Sequence, residues 1–176
     1  MADLIAYFSR RYENYVNGTI RNLDVGNTEI AAGIVQTFTG ADLFKIEPLQ
    51  EYSRNYNECI AQAQADQRRG ARPELKEYPK SLDQYDRIYL GYPNYWSTMP
   101  MAVFTFLEHF DFTGKIILPF CTHEGGGMGS SEQDIKRICP EAEVRNGLAI
   151  FGGSAEHSKE DIRTWIQQNR ERQGGR

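Results

Sequence analysis

The sequence is short of several features that would narrow its chemistry at once. It has three cysteines, Cys59, Cys121 and Cys139, at no spacing that suits a metal site or a disulfide framework. Scattered thiols of this kind serve as small apolar core residues and point to a reducing compartment, the cytoplasm. The three histidines, His109, His123 and His157, show no ligand spacing either, and Cys121 has no identified base beside it. No apolar run approaches the ~18 residues a membrane span needs, so no membrane is expected as a partner. Asp3 and Ser9-Arg10-Arg11 interrupt the first apolar stretch too early for a signal peptide. The net charge is −4 and no basic block stands out, which argues against nucleic acid; the basic stretch over residues 170–176 is short and glycine-containing. The Gly-Lys-Ser/Thr ending of a nucleotide-hydrolase phosphate loop is absent.

What is present describes one globular domain over residues 1–176. A chain of this length, 40% hydrophobic and 25% charged, can bury a single core without disulfide or metal support. Leu4-Ile5-Ala6-Tyr7-Phe8 is continuously apolar, as in a strand covered on both faces of a parallel sheet. From Gly26 the period changes, and Ile30, Ala31, Ile34, Val35 and Phe38 recur at helical spacing behind a capping signal at Asn27-Thr28. Between them, residues 11–25 carry Asn17-Gly18 inside short β-prone pairs, a hairpin signal and a candidate flap over the first loop. The same excursion also reads as a surface segment with no ligand contact.

Residues 41–46 predict a second strand whose charged positions suit a sheet edge. Residues 56–69 predict a helix with Cys59, Ile60 and Ala63 facing inward, and 87–92 a third strand. Pro100 opens a helix continued by Phe104, Leu107 and Phe110. Residues 115–121 predict a fourth strand in which Pro119 demands a local irregularity, because proline cannot donate to a ladder. Ser130 or Ser131 caps the next helix, with Ile135 and Ile138 inward. Residues 144–151 form a fifth strand weakened by Gly147, and Ser158 caps a last helix with Ile162, Trp165 and Ile166. The alternation predicts a three-layer α/β sandwich with a five-stranded parallel sheet and right-handed crossovers, for which 2-1-3-4-5 is one common strand order.

In that order strands one, three and four are neighbours, so the loops after them meet at one crevice. The first offers the hydroxyls of Ser9 and Thr28, the Asn27 amide and the free N–H groups of a helix terminus, a place suited to phosphate. Arg10 adds charge there. Taken alone, Asn27 and Thr28 are more simply helix caps. The second loop, Pro93-Asn94-Tyr95-Trp96, puts aromatic rings where they can stack on a flat heterocycle or merely cover the core. The third, Thr122-His123-Glu124-Gly125-Gly126-Gly127-Met128-Gly129, brings backbone N–H and C=O groups close to a ligand, since no Cβ stands in the way.

Taken together, Tyr7-Phe8-Ser9, Gly26-Asn27-Thr28, Gly91-Tyr92-Pro93-Asn94-Tyr95-Trp96 and Pro119-Phe120-Cys121-Thr122-His123-Glu124-Gly125 resemble the flavodoxin family. The resemblance implies a flavodoxin-like fold that binds FMN noncovalently. It places the phosphate at Ser9, Asn27 and Thr28, with Arg10 nearby. It places the isoalloxazine between Pro93, Asn94, Tyr95 and Trp96 on one side and Thr122, His123, Glu124, Gly125, Gly126 and Gly129 on the other. The family's phosphate loop is split here by the insert at residues 11–25. The function implied is an electron-transfer flavodoxin serving a redox partner protein. The alternative is an NAD(P)H-dependent reductase of quinones or similar small-molecule electron acceptors.

Overall fold

The computed structural model of the chain describes residues 2–171. In chain order its elements are β1 (Ala2–Tyr7), β2 (Tyr12–Val16), β3 (Thr19–Leu23), α1 (Asn27–Thr39), β4 (Asp42–Lys45), α2 (Tyr56–Arg68) and β5 (Tyr85–Pro93). There follow α3 (Met101–His109), β6 (Ile116–His123), α4 (Ser131–Ile138), β7 (Glu143–Val144), β8 (Leu148–Phe151), a 3-10 turn (Gly152–His157) and α5 (Lys159–Glu171). The far end of the basic tail, residues 172–176, lies outside the described residues.

β1 lies inside the sheet, and the burial of Ile5 and Ala6 follows from helices covering both faces of the sheet. The order is β4-β1-β5-β6, with β7 and β8 both parallel to β6 in the last position. This is the expected 2-1-3-4-5 sheet, with β4 at an edge. On one side Ala31, Val35, Ile162 and Trp165 pack from α1 and α5 against Ile5, Leu118 and Phe120. On the other, Phe104, Leu107 and Ile135 pack from α3 and α4 against Leu4, Leu90 and Ile117. Two cores divided by one sheet make the three layers.

The fifth strand is not continuous. Ile117 pairs with Val144 and Phe120 with Leu148, so three steps along β6 face four along its neighbour. The break falls opposite Pro119, which has no N–H for a ladder. Gly147 turns its N–H to the Glu132 carboxylate at 3.0 Å instead. Its lack of a side chain is required, because a Cβ would stand 3.0 Å from the Pro119 carbonyl oxygen and 2.4 Å from Met128 Cε.

The expected hairpin forms as β2 and β3, turning at Asn17 (φ 51°) and Gly18 (φ 84°), the positive angles of a type I′ turn. Other local expectations change. Phe110 lies past the end of α3 and Ile60 is only half-buried. Neither Ser130 nor Ser158 caps through its side-chain oxygen as an acceptor. Ser130 Oγ donates to the Ser97 carbonyl at 3.1 Å, and Ser158 Oγ donates to the Ala155 carbonyl at 2.6 Å. Each hydroxyl satisfies a nearby carbonyl first.

Candidate functional site

The start of α1 builds the first part of the site. Its N-cap is Gly26, which has no side chain to cap with, and the missing acceptor comes from another segment. Ser9 Oγ, just past β1, accepts the Glu29 N–H at 3.1 Å. Glycine is needed at 26 because a Cβ would lie 2.2 Å from that same oxygen and 2.6 Å from the Arg10 carbonyl. Asn27 and Thr28 are therefore the first helical residues rather than the cap. Thr28 is buried, its Oγ1 sharing a 2.7 Å hydrogen bond with Thr122 Oγ1. Among the described residues the N–H groups of Asn27 and Thr28 have no protein acceptor. Two unpaired donors at the positive end of a helix dipole are suited to an anion.

That terminus opens into a crevice of about 290 Å³. Ser9, Arg10, Asn27 and Thr28 line one end, residues 93–96 and 122–124 line the floor, and Gly152 closes a flank. Residues the sequence did not single out for a ligand complete the wall: Asn14 and Tyr15 from the hairpin, and Tyr56, Cys59, Ile60 and Ala63 from α2. The predicted helix is present, but nothing in its pattern tells that one side of it faces the crevice rather than the core. Tyr15 stacks on Tyr56 with ring centroids 6.0 Å apart.

The predicted residues play unequal parts. Arg10 lines the crevice, yet its guanidinium donates to the carbonyls of Glu13, of Ser53 at 2.8 Å and of Arg54 at 2.9 Å. It staples the hairpin base to the segment before α2, and its donors are spent on backbone. Tyr95 packs edge-on against Phe8 and Tyr52, and burial pushes its hydroxyl well above the usual tyrosine range. Trp96 is 43% exposed at the rim, held by an indole N–H bond to the Ile60 carbonyl at 2.9 Å. The Asn94 amide spans two loops, donating to the Gly127 carbonyl at 2.9 Å and accepting the Ser97 N–H at 2.9 Å.

The structure does not bring Gly125, Gly126 and Gly129 to the crevice wall. The glycine loop folds down on residues 94–97 instead. A Cβ at 126 would meet Asn94 Nδ2 at 3.0 Å, and one at 129 would meet the Ser97 oxygen at 2.1 Å. His123 and Glu124 do line the crevice, each already engaged. His123 Nδ1 accepts the Gly125 N–H at 2.9 Å, and burial lowers its pKa from 6.5 against the opposing pull of Glu124. Glu124 accepts the Asn17 N–H on Oε2 at 3.1 Å and the Gly153 N–H on Oε1 at 3.2 Å. Cys121 lies beneath the crevice with its thiol pushed up to about 12 by burial, which suits a core residue and not a nucleophile. Among the described residues no group of three or more His, Cys, Asp or Glu is placed to hold a metal ion. Among the same residues no helix is long and apolar enough to cross a membrane.

A family profile described as flavodoxin matches residues 22–169. The chain belongs to the flavodoxin family. Its flavodoxin fold also matches solved structures over most of the chain. One, described as a candidate flavoprotein from Bacteroides eggerthii, shares 26% identity over 94% of this chain and 96% of that one, with a TM-score of 0.76. A second, from Bacteroides uniformis and described in the same words, shares 26% over 94% and 97%, with a TM-score of 0.75. A flavoprotein from Lactobacillus acidophilus, solved in complex with FMN, shares the fold at 16% identity over 89% and 97%, with a TM-score of 0.62. No curated protein matches the sequence.

Proposed function

We propose that the chain binds FMN noncovalently in the crevice and acts as a redox protein, most simply an electron-transfer flavodoxin. The observation that carries this is the pair of unpaired N–H groups at Asn27 and Thr28, opening into a crevice with aromatic walls. The Ser9 hydroxyl proton and those two N–H groups suit a phosphate. Residues 93–96, 122–124 and Tyr56 are the walls against which a flat ring would lie. Bound FMN would supply the electron chemistry, and the protein would supply orientation and hydrogen bonds.

The hairpin favours a carrier over a reductase. Tyr15 and Tyr56 cover one side of the crevice, which leaves less room for a nicotinamide to approach a bound ring. Exposed Trp96 remains at the mouth and exposed Phe151 packs on His123 beside it, where a redox partner protein could touch the edge. Titration with FMN, monitored by quenching of flavin fluorescence, is expected to show saturable binding at one site. Dithionite is then expected to reduce the complex and NADH and NADPH to do so poorly. Absence of saturable binding refutes the flavin reading. Rapid reduction by a nicotinamide replaces the carrier with the reductase.

A further inference from the structure

The cations of the chain are unevenly placed. Residues 10–25 and 54–69, the hairpin segment and α2 with its flanks, hold six arginines, no lysine and four carboxylates. They carry +2 in a chain of −4, so the remaining residues stand at −6. Three of those four carboxylates are engaged. Glu13 accepts the Tyr56 N–H at 2.7 Å, Glu58 the Ser53 hydroxyl at 2.6 Å, and Asp66 both the Tyr52 hydroxyl at 2.8 Å and the Arg69 guanidinium at 2.7 Å. Arg11, Arg54 and Arg68 are exposed, and among the described residues none of them forms an ion pair with a carboxylate. The Arg10 clamp on the carbonyls of Ser53 and Arg54 sets two of these side by side. The Arg11 guanidinium lies 4.9 Å and that of Arg54 4.4 Å from the centroid of the Tyr12 ring, with Tyr12 itself at φ 71°. Glu51 beside them is bonded to Lys76 at 3.0 Å, and that bond, with lesser pulls from Arg54 and Arg11, holds its carboxyl below the usual range.

Arg68 stands at the other end of α2, about 20 Å from Arg54 by the helical rise. Next to it, Gln67 donates to the Trp96 carbonyl at 3.0 Å. Between the two ends, exposed Tyr15 and Trp96 border the crevice, and exposed Ile20 lies opposite Tyr15 across the hairpin and so on the same side of it. An apolar and aromatic centre with arginine at its edge is the composition of a protein interface, and the span suits a patch of about 800 Å² per partner. We infer that this face docks a redox partner protein whose surface around its own redox centre is acidic. The inference rests on the carrier reading and deepens it by giving the partner's charge: an acidic chain meets its partner through a basic face. With −6 on the remaining residues, an acidic partner is repelled by the rest of the surface and admitted at the mouth, so the charge pattern orients the encounter.

Two measurements test it. In the first, the chain without flavin is titrated with octaglutamate and, separately, with octalysine, followed by NMR at about 10 mM salt, where the Debye length is about 30 Å. Octaglutamate is expected to shift the amides of Arg11, Tyr12, Arg54 and Arg68 and the Trp96 indole, and octalysine to leave them in place. Octaglutamate binding elsewhere, or not at all, overturns the inference. In the second, the FMN-loaded chain is reduced without oxygen by one equivalent of dithionite. Its oxidation by ferricyanide, an anion, and by hexaammineruthenium(III), a cation, is then timed from about 10 to about 300 mM salt. Each acceptor ion takes one electron from the reduced flavin. A basic mouth makes the ferricyanide rate fall about tenfold as salt rises and the ruthenium rate climb, whereas rates governed by the whole chain's charge move the other way. A variant with Arg11→Gln, Arg54→Gln and Arg68→Gln loses most of the ferricyanide slope, and Arg68→Gln alone, away from the hairpin base, loses about a third. Lys80→Gln, the same charge change before β5 at the opposite end of the sheet, leaves the slope as it is. A ferricyanide rate that climbs with salt, or a slope moved as far by Lys80→Gln as by the arginines, overturns the docking face and leaves the flavin reading intact. If the chain binds no FMN, the flavin reading falls and the redox role of the face with it, while the octaglutamate titration still reports whether the face takes an acidic chain.

Discussion

Replacing Ser9 with alanine removes one oxygen that has two separable jobs. In the chain alone that oxygen accepts the Glu29 N–H at 3.1 Å and is the side-chain cap of a helix whose N-cap residue, Gly26, supplies none. Loss of a helix cap costs about 1 kcal/mol, within a range of roughly 0.5–2. For a domain of this size that lowers Tm by about 2–4 °C per kcal/mol. In the complex the hydroxyl proton is free to donate to phosphate, and a hydrogen bond to a charged group is worth about 1.5–3 kcal/mol, roughly 10–150-fold in affinity. Urea unfolding without flavin reads the first effect, and FMN titration well below the unfolding transition reads the second. Ser9→Thr, which keeps the oxygen, should recover most of the stability. Unchanged stability of Ser9→Ala, with unchanged exchange of the Glu29 amide, would refute the capping. Lost stability with undiminished FMN affinity would move the phosphate away from Ser9.

Gly91→Ala should overpack the sheet, because the new Cβ would meet the Phe120 ring at 2.3 Å and Phe120 is fully buried against Trp165. The expected cost is about 1–3 kcal/mol, seen as a lower urea midpoint, and a wild-type midpoint would show that the ring can move aside. His123 should make stability depend on pH. Its folded pKa is depressed below 6.5, chiefly by burial, so the unfolded chain binds the proton more readily. The stabilising contribution is complete above pH 6.5 and is lost as the pH falls from there through the folded value, where protonation also removes Nδ1 as acceptor for the Gly125 N–H. Imidazole titration by NMR checks the sign, and a His123 pKa above 6.5 would reverse it.

Much of the fold was legible because buried strands and amphipathic helices write short-range periods. The run Leu4-Ile5-Ala6-Tyr7 announced a strand covered on both faces, and Asn17-Gly18 announced its hairpin, because a type I′ turn needs two positive φ angles. Pro119 announced an irregularity, although its effect appears one strand away, in the bulge between Val144 and Leu148. The convergence of three loops followed from strand order alone.

What each residue does at that convergence was settled by long-range contacts, which no local pattern encodes. Asn27 and Thr28 carry a capping signature, yet the side-chain cap is Ser9, 20 positions before the Glu29 amide whose proton it accepts. The two meet because Gly26, lacking a Cβ, lets the chain leaving the hairpin close against Ser9 and Arg10. Arg10 has the charge for a phosphate, but three backbone carbonyls surround it. The glycine loop has the flexibility to hold a ring, but it packs on Asn94 and Ser97. By itself the sequence determined the layers, which depend on hydrophobic period and chain connectivity, and with the strand order that the flavodoxin resemblance implies it placed the crevice. Only the tertiary structure decided which donors remain unpaired there and that Glu124 ties the hairpin tip to Gly153. Both depend on segments far apart in the chain, as with Asn17 and Glu124, which meet across 107 positions.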